Sequence, residues 1–193
     1  VQWYICNGQT DHLIETGIDL YKLPLQEKKD ILCSCIYGID IDIHAVEVAK
    51  FSLLIKLIED ETAPSVSEVV PILPDLGDNI QFGNSLVSQT ELNGISGANR
   101  QMMEIAPFDW STINNGCGFD VIIGNPPYVN TEGMHALLPS AEVEVYKKKY
   151  KTSHKQFDKY FIFIEQAINK INENGLVCYI VPNKFFRIGA GEK

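Results

Sequence analysis

A short apolar stretch that runs into a rigid turn, residues 119–128, constrains this chain more than any other feature. Residues 119–123 are apolar apart from one aspartate, which predicts a short buried strand. The Gly-Asn-Pro-Pro-Tyr sequence ends that strand, because neither proline has a backbone N–H and each restricts the residue before it. We therefore expect Asn125, Pro126 and Tyr128 to lie at the carboxyl end of a strand.

The chemistry of this turn suits a planar group that carries an NH2. The side-chain oxygen of Asn125 and the carbonyl of Pro126 are both hydrogen-bond acceptors, and the ring of Tyr128 offers a flat apolar face. Open α/β sheets bind their ligands at the carboxyl ends of their strands. The alternative is a tight proline-rich turn with a packed tyrosine and no ligand.

A second strand, residues 36–42, ends in two acids and leads directly into a predicted helix over residues 45–59. In nucleotide-binding βαβ units a carboxylate at such a strand end accepts hydrogen bonds from ribose hydroxyls. An aspartate here can also cap the following helix. We assign the ribose role to Asp40 and the helix N-cap to Asp42.

Further elements follow the same alternation. Residues 79–82 form a short predicted strand, after which Asn84 and Ser85 either meet a ligand or form a plain turn. A helix is expected from about residue 158 to 172, and a buried strand over residues 176–181. This alternation of strands and helices predicts an α/β fold with a parallel sheet. We expect one catalytic domain over residues 1–193, with an uncertain lead-in at 1–35 and a core at 36–183.

Charge and cysteine content narrow the function classes. The net charge is −9, which argues against a free-standing nucleic-acid binder, yet residues 145–160 hold six lysines against one aspartate. Five of these lysines lie in a polar and basic segment, 129–156, which we predict to be a long loop, either near DNA phosphates or solvated with no partner. The five cysteines have no CxxC spacing, so we expect reduced core thiols, with no metal site. No apolar run is long enough for a membrane span, and a cytoplasmic protein is expected.

Taken together, these landmarks resemble the N6-adenine DNA methyltransferases, and most closely the methyltransferase module of type IIG restriction enzymes. The resemblance covers residues 36–183. Four places carry it: Tyr-Gly-Ile-Asp-Ile-Asp at 37–42 with Ala-Val-Glu-Val-Ala-Lys at 45–50, Gly-Asn-Ser-Leu at 83–86, the stretch at 119–128, and Asp-Lys-Tyr-Phe-Ile-Phe-Ile-Glu at 158–165 with the strand at 175–183.

The resemblance implies a partial doubly wound parallel sheet of the S-adenosylmethionine-dependent, Rossmann-like type. It also implies a site-specific DNA adenine-N6 methyltransferase of a prokaryotic restriction-modification system, acting on double-stranded DNA. The target adenine is flipped out, stacked on a Tyr128-type ring, and held through its N6 protons by Asn125 and Pro126. The expected cofactor residues are Asp40, Ile41, Asn84, Ser85, Pro127 and Phe163, and the expected phosphate contacts are Lys147, Lys148, Lys149, Lys151 and Lys155.

Two departures from the family pattern qualify these expectations. Asn84 stands where the family usually has an aspartate, so an adenine amine of the cofactor would meet an uncharged acceptor. The family's glycine-rich cofactor loop is missing from the sequence, so we expect the chain by itself to be inactive. Alternatives are a methyltransferase for protein glutamine or RNA, and a non-catalytic scaffold that binds nucleotide or DNA. The oligomeric state is not indicated.

Overall fold

A computed structural model gives the fold of residues 1–183 except Asp19 and Glu68. The chain divides into two compact units, Val1–Gln81 and Phe82–Lys193. Each unit has its own buried apolar cluster. The expectation of one catalytic domain over the whole chain therefore stays a prediction. None of the described helices is long and apolar enough to cross a membrane.

The first unit combines short strands with helices around a small core. Its described elements are α1 (Gln2–Cys6), β1 (Ile14–Gly17), β2 (Leu20–Lys22), α2 (Leu25–Cys35), β3 (Gly38–Asp40), α3 (Ile43–Ile58), α4 (Ala63–Ser67) and β4 (Ile80–Phe82), whose last residue falls at the unit boundary. β1 pairs with β2 in the antiparallel sense, and β3 neighbours β4. The core residues are Leu25, Leu32, Val46, Leu57, Val69, Leu76 and Ile80.

The strand, acid and helix predicted from the sequence are present as β3, Asp40 and α3. Asp42 is the N-cap of α3, and its side chain accepts a hydrogen bond from the backbone N–H of His44 at 2.8 Å. The predicted N-cap role of Asp42 is therefore confirmed. This cap fixes the start of α3 at Ile43, three residues after Asp40 at the end of β3.

Asn79 closes the carboxyl end of α2 from a buried position. Its Nδ2 donates to the carbonyls of Cys33 at 2.8 Å and Ile36 at 2.9 Å. Asn79→Ala should lower the free energy of unfolding by about 1–3 kcal/mol, because those carbonyls lose their donor away from water. Urea denaturation measures this loss. Asn7→Ala, at an exposed asparagine, is the control, and equal losses for the two variants would contradict the role assigned to Asn79.

The second unit holds the larger core. Its described elements are α5 (Ala98–Ile105), β5 (Phe119–Gly124), α6 (Thr131–Leu137), α7 (Ser140–Lys149), α8 (Lys159–Lys170) and β6 (Ile171–Tyr179). Several of the core side chains are fully buried, among them Leu86, Ile105, Met134, Tyr146, Tyr160 and Ile162. The residues of this core come mostly from α5, α6, α7 and α8 and from the segment 86–95, which lie on either side of β5 in the sequence.

β5 and β6 form a parallel pair, in which Val121, Ile123 and Gly124 lie opposite Leu176, Cys178 and Tyr179. The mixed α/β fold with a parallel strand pair agrees with the sequence prediction. The described strands form three two-stranded sheets and not one continuous sheet. Val121 and Ile123 of β5 and Leu176 of β6 are exposed. The two strands, which were predicted to be buried, are therefore only partly covered.

The segment 129–156, predicted as a long loop, contains the helices α6 and α7, and that prediction is wrong. The side chain of Asn130 caps α6 by accepting from the N–H of Gly133 at 2.8 Å. In α7, Val143 and Tyr146 are three residues apart and both buried, so burial of one helix face outweighs the polar composition.

The uncertain lead-in begins with a helix, α1, because its backbone N–H groups bond within the segment, for example from Ile5 to Val1 at 3.1 Å. The prediction that the cysteines are core residues is wrong. All five cysteines are free thiols, but four of them are exposed and Cys33 is partly buried. None of the five is therefore fully buried in a core, although Cys33 packs against the core of the first unit.

Candidate functional site

The end of β5 is held by its neighbour β6. Gly124 pairs with Tyr179, and the N–H of Ile180 donates to the Gly124 carbonyl at 3.2 Å. A Cβ atom on Gly124 would lie 3.0 Å from Cε1 of Tyr179, closer than side chains normally approach. Burial raises the pKa of Tyr179. A side chain at position 124 would therefore require the Tyr179 ring, which packs on the backbone before the turn, to shift by a few tenths of an ångström.

The turn presents Asn125, Pro127 and Tyr128 to solvent, whereas Pro126 is buried. The Tyr128 ring is half exposed, at 51%. Its hydroxyl lies 2.6 Å from the carbonyl of Ile180 and 2.9 Å from Oδ1 of Asn125. The amide, the ring and the end of β6 thus form one hydrogen-bonded group.

The chain after the turn is tied to the start of α8. The N–H of Lys159 donates to the carbonyl of Val129 at 2.7 Å. Thr131 Oγ1 donates to the Phe157 carbonyl at 2.9 Å and accepts from the Phe157 N–H at 2.8 Å. These bonds fix the backbone that leaves Tyr128. The turn is consequently held on both sides, by β6 and by the residues that precede α8.

A second turn, at residues 83–86, follows β4 and is also rigid. A Cβ on Gly83 would lie 2.9 Å from the ring of Phe108, so only glycine fits there. The Ser85 carbonyl accepts from Trp110 Nε1 at 3.0 Å and from Gln166 Nε2 at 3.1 Å. Ser85 itself is partly exposed, which leaves its side chain accessible to a ligand.

Asn84 is only 6% exposed, and its side chain bonds within the protein. Oδ1 accepts from the N–H of Leu86 at 3.1 Å, and Nδ2 donates to Oε1 of Glu142 at 3.1 Å. A ligand amine would therefore have to use the second lone pair of Oδ1, at a position with little exposure. This arrangement limits the cofactor contact predicted for Asn84.

Glu142 is a buried carboxylate that the sequence reasoning missed. It is 3% exposed and accepts hydrogen bonds from Asn84, from the hydroxyl of Tyr146 and from Nζ of Lys159 at 3.3 Å. Burial, reinforced by the negative charge of Glu142, raises the pKa of Tyr146 well above its usual range. A glutamate within the apolar sequence Ala-Glu-Val at 141–143 was the available indication of a buried charge.

The residues predicted to line the cofactor differ in accessibility. Asp40 is exposed in the first unit, where its Oδ1 accepts from the N–H of Asp42 at 2.8 Å, and Ile41 is 52% exposed. In the second unit, Pro127 is exposed, while Phe163 is partly buried and packs against the apolar core. Within their own units, Asp40, Ile41 and Pro127 are therefore accessible, whereas Phe163 is accessible only in part.

The five lysines predicted to contact phosphates fall into two groups. Lys149 turns toward the protein, where its Nζ donates to the Leu86 carbonyl at 2.9 Å and pairs with Glu91 at 2.9 Å. The other four, Lys147, Lys148, Lys151 and Lys155, are exposed.

Two of the exposed lysines have neighbours on the surface. Lys148 pairs with Glu144 at 2.6 Å, and Lys147 Nζ lies 3.1 Å from Nε2 of His135. The backbone near Lys151 is anchored by Glu165, which accepts from the N–H groups of Lys151 and Thr152 at 3.0 and 2.8 Å. Burial acts to raise the pKa of Glu165, but these hydrogen bonds outweigh it and lower that pKa.

Comparison with known proteins shows which family and which relatives the chain is similar to. A family model described as Eco57I restriction-modification methylase matches residues 34–193. The type II restriction enzyme and methyltransferase RM.Eco57I of Escherichia coli is 44% identical over 193 residues, which is 100% of this chain and 18% of that protein. The type II methyltransferase M.BstVI of Geobacillus stearothermophilus is 32% identical over 75 residues, or 39% of this chain and 13% of that protein.

A third relative matches a shorter part of the chain. The putative type II restriction enzyme and methyltransferase RM.MjaORFECS2P of Methanocaldococcus jannaschii is 37% identical over 82 residues, 42% of this chain and 7% of that protein. The chain thus spans less than a fifth of the length of these curated relatives.

Proposed function

Since this chain belongs to the Eco57I restriction-modification methylase family, we propose that it carries the target-base residues of a site-specific DNA adenine-N6 methyltransferase. Its relatives are type II methyltransferases, two of which are also named as restriction enzymes. The cofactor is S-adenosylmethionine and the substrate is double-stranded DNA. The remaining expectations from the sequence, a Rossmann-like doubly wound sheet and a place in the prokaryotic cytoplasm, belong to the same proposal.

The turn at the end of β5 is the observation that carries this proposal. It brings an amide oxygen on Asn125, the backbone carbonyl of Pro126 and the half-exposed ring of Tyr128 together on a backbone fixed by β6. Two acceptors beside an aromatic face match a flipped adenine, whose amine has two protons to donate and whose ring system stacks. Of the two acceptors, the Pro126 carbonyl is less accessible than the Asn125 amide oxygen, because Pro126 is buried.

The turn overcomes the weak nucleophilicity of the adenine amine. The nitrogen lone pair is delocalised into the ring, and hydrogen bonds that hold both amine protons favour a pyramidal nitrogen with a localised lone pair. When bound, S-adenosylmethionine supplies an electrophilic methyl group on a positively charged sulfur. Asn125 and Pro126 orient the lone pair for direct displacement, Tyr128 fixes the ring plane, and positioning provides much of the acceleration.

The exposed acid at the end of β3 fits the ribose of the cofactor. One Asp40 oxygen is held by the N–H of Asp42, and an exposed carboxylate held in this way can direct its other oxygen at a hydroxyl. Ile41 provides an exposed apolar surface for an adenine ring. Ser85, Pro127 and Phe163 are proposed as further contacts. Asn84 is the weakest member of the set, because Leu86 and Glu142 already engage its side chain.

The exposed lysines after the turn are proposed to contact DNA phosphates. Lys147, Lys148, Lys151 and Lys155 are accessible, and each phosphate contact adds salt-dependent affinity. Lys149 is the least suited of the predicted five, since it bonds to the Leu86 carbonyl and Glu91.

Asp40→Ala in the full-length protein should raise the apparent KM for S-adenosylmethionine about tenfold or more, since a charge-assisted hydrogen bond is worth about 1.5–3 kcal/mol. DNA affinity should change little. Steady-state methylation and a DNA-binding titration measure the two effects. Asp11→Ala removes an exposed acid elsewhere in the first unit and is the control. A larger loss in DNA affinity than in cofactor affinity would contradict the ribose role.

Methyl transfer to DNA tests the proposal directly. The full-length protein is incubated with duplex DNA and S-adenosylmethionine carrying an isotope-labelled methyl group, and the digested nucleosides are separated. Label in N6-methyladenine is the expected result. Label in a methylated cytosine would overturn the choice of base, and label in protein or RNA but not in DNA would favour the alternative methyltransferases. Binding without any transfer would favour the scaffold.

A further inference from the structure

The hydroxyl of Tyr128 lies between two acceptor atoms although it has one proton to give. Its oxygen is 2.6 Å from the carbonyl of Ile180 and 2.9 Å from Oδ1 of Asn125. A backbone carbonyl can only accept, whereas a carboxamide presents either its oxygen or its NH2 group after rotation by 180°. The shorter contact takes the proton, so the phenol oxygen faces Asn125 as an acceptor.

We propose that the Tyr128 hydroxyl sets the orientation of the Asn125 amide, with Nδ2 toward the phenol oxygen and Oδ1 toward the target base. The inference rests on the proposed function and assigns Tyr128 a positioning role in addition to stacking. A chain of donors runs from the Asn125 NH2 to the phenol oxygen and from the phenol proton to the Ile180 carbonyl. In this order each group has a partner of the right kind.

The Ile180 carbonyl is a suitable anchor because the backbone around it is fixed. The N–H of Ile180 donates to the Gly124 carbonyl at 3.2 Å, and its carbonyl accepts from the Tyr128 hydroxyl. Both backbone groups of Ile180 are therefore hydrogen-bonded. The Tyr128 ring also meets the buried ring of Tyr160 edge-on, with centroids 6.0 Å apart. The hydroxyl is therefore held at one place and can direct the amide.

The orientation matters because the two ends of the carboxamide have opposite hydrogen-bonding roles: the oxygen accepts and the NH2 group donates. With Oδ1 toward the base, Asn125 accepts a hydrogen bond from an N–H of the target amine, which the proposed transfer requires. In the other orientation the Asn125 NH2 would meet the amine NH2, and two donors would face each other without an acceptor. Tyr128→Phe keeps the stacking ring but removes the hydroxyl, which is the group that distinguishes the two orientations of the Asn125 amide.

The test uses Tyr128→Phe in two backgrounds of the full-length protein, the wild type and the Asn125→Asp variant. A carboxylate has two equivalent oxygens, so its rotation does not change what it presents to the base. We expect Tyr128→Phe to lower kcat about tenfold in the wild-type background and less than about twofold in the Asn125→Asp background, because one lost hydrogen bond is worth about one order of magnitude. Equal losses in both backgrounds would overturn the inference and indicate a general loss of structure.

A binding measurement keeps the inference testable where the Asn125→Asp enzyme is inactive. Duplexes carry either adenine or purine, which lacks the 6-amine, at the target position, and dissociation constants are measured for wild type and Tyr128→Phe. Wild type should prefer adenine, and Tyr128→Phe should lose most of that preference while binding of the purine duplex stays the same. An unchanged preference would overturn the inference. Absence of DNA adenine methylation by wild type would instead refute the proposed function.

Discussion

Replacing Asn125 with alanine should reduce adenine methylation by about 10²- to 10³-fold in the full-length protein, the range seen when one preorganised hydrogen-bonding group is removed from an active site. The loss should fall on kcat, because Asn125 acts on the amine during transfer and not on the DNA backbone. Tyr128 would lose a hydrogen-bond partner but keep its bond to Ile180. Single-turnover methylation of a duplex with one target site measures the effect.

The control for this variant is Asn99→Ala, an exposed asparagine on α5 in the same unit. It changes the same atoms in a helix, where alanine is well tolerated, and methylation should remain near the wild-type rate. Affinity for S-adenosylmethionine should be similar in the two variants, and affinity of Asn125→Ala for DNA should fall far less than its methylation rate, because Asn125 contacts one base and not the DNA backbone. Methylation by Asn125→Ala at the rate of the control would refute the role of the turn in transfer.

The second large effect is expected from Lys159→Met, which removes the ammonium partner of the buried Glu142 carboxylate. Nζ of Lys159 lies 3.3 Å from Oε1 of Glu142, and the side chains are 13% and 4% exposed. Breaking a buried ion pair on one side costs about 3–5 kcal/mol, because the remaining charge stays away from water. Urea denaturation should therefore show a large fall in the free energy of unfolding.

A surface ion pair in the neighbouring helix provides the matched comparison. Lys148 pairs with Glu144 at 2.6 Å, but both side chains are well exposed. Lys148→Met should cost about 1 kcal/mol or less. Adding Glu142→Leu to Lys159→Met should recover part of the loss, since the unpaired charge is gone. If Lys159→Met were no more destabilising than Lys148→Met, the buried pair would not have the stabilising role assigned to it.

Local patterns predicted the elements on which the site is built. The apolar run before Gly124, the acid-rich end of β3 and the start of α3 all depend on interactions between residues close in sequence. The N-cap by Asp42 is of this kind, because its partner is two residues away. The roles of Asn125, Pro126 and Tyr128 in binding a base stay predictions, although their placement at the strand end agrees with the pattern.

Predictions from composition were less successful. The polar and lysine-rich character of residues 129–156 favoured a loop, yet α7 buries Val143 and Tyr146 on one face while its lysines collect in the last turn. Lysines there also suit the negative end of the helix dipole. The inward position of Lys149 was also not predictable from composition. Its partners Leu86 and Glu91 are distant in sequence, and nothing near Lys149 indicates them.

The sequence by itself determined β3 with α3, the strands β4 and β5, α8 with β6, the turn after β5 and the family to which the chain belongs. Proline geometry, helix capping and apolar periodicity act over a few residues, so they can be read along the chain. Tertiary structure alone decided which polar groups meet: Asn84 with Glu142, Glu142 with Lys159, and Tyr128 with Ile180. Those pairs join residues from 17 to 58 positions apart, and only the packed fold brings them within hydrogen-bond distance.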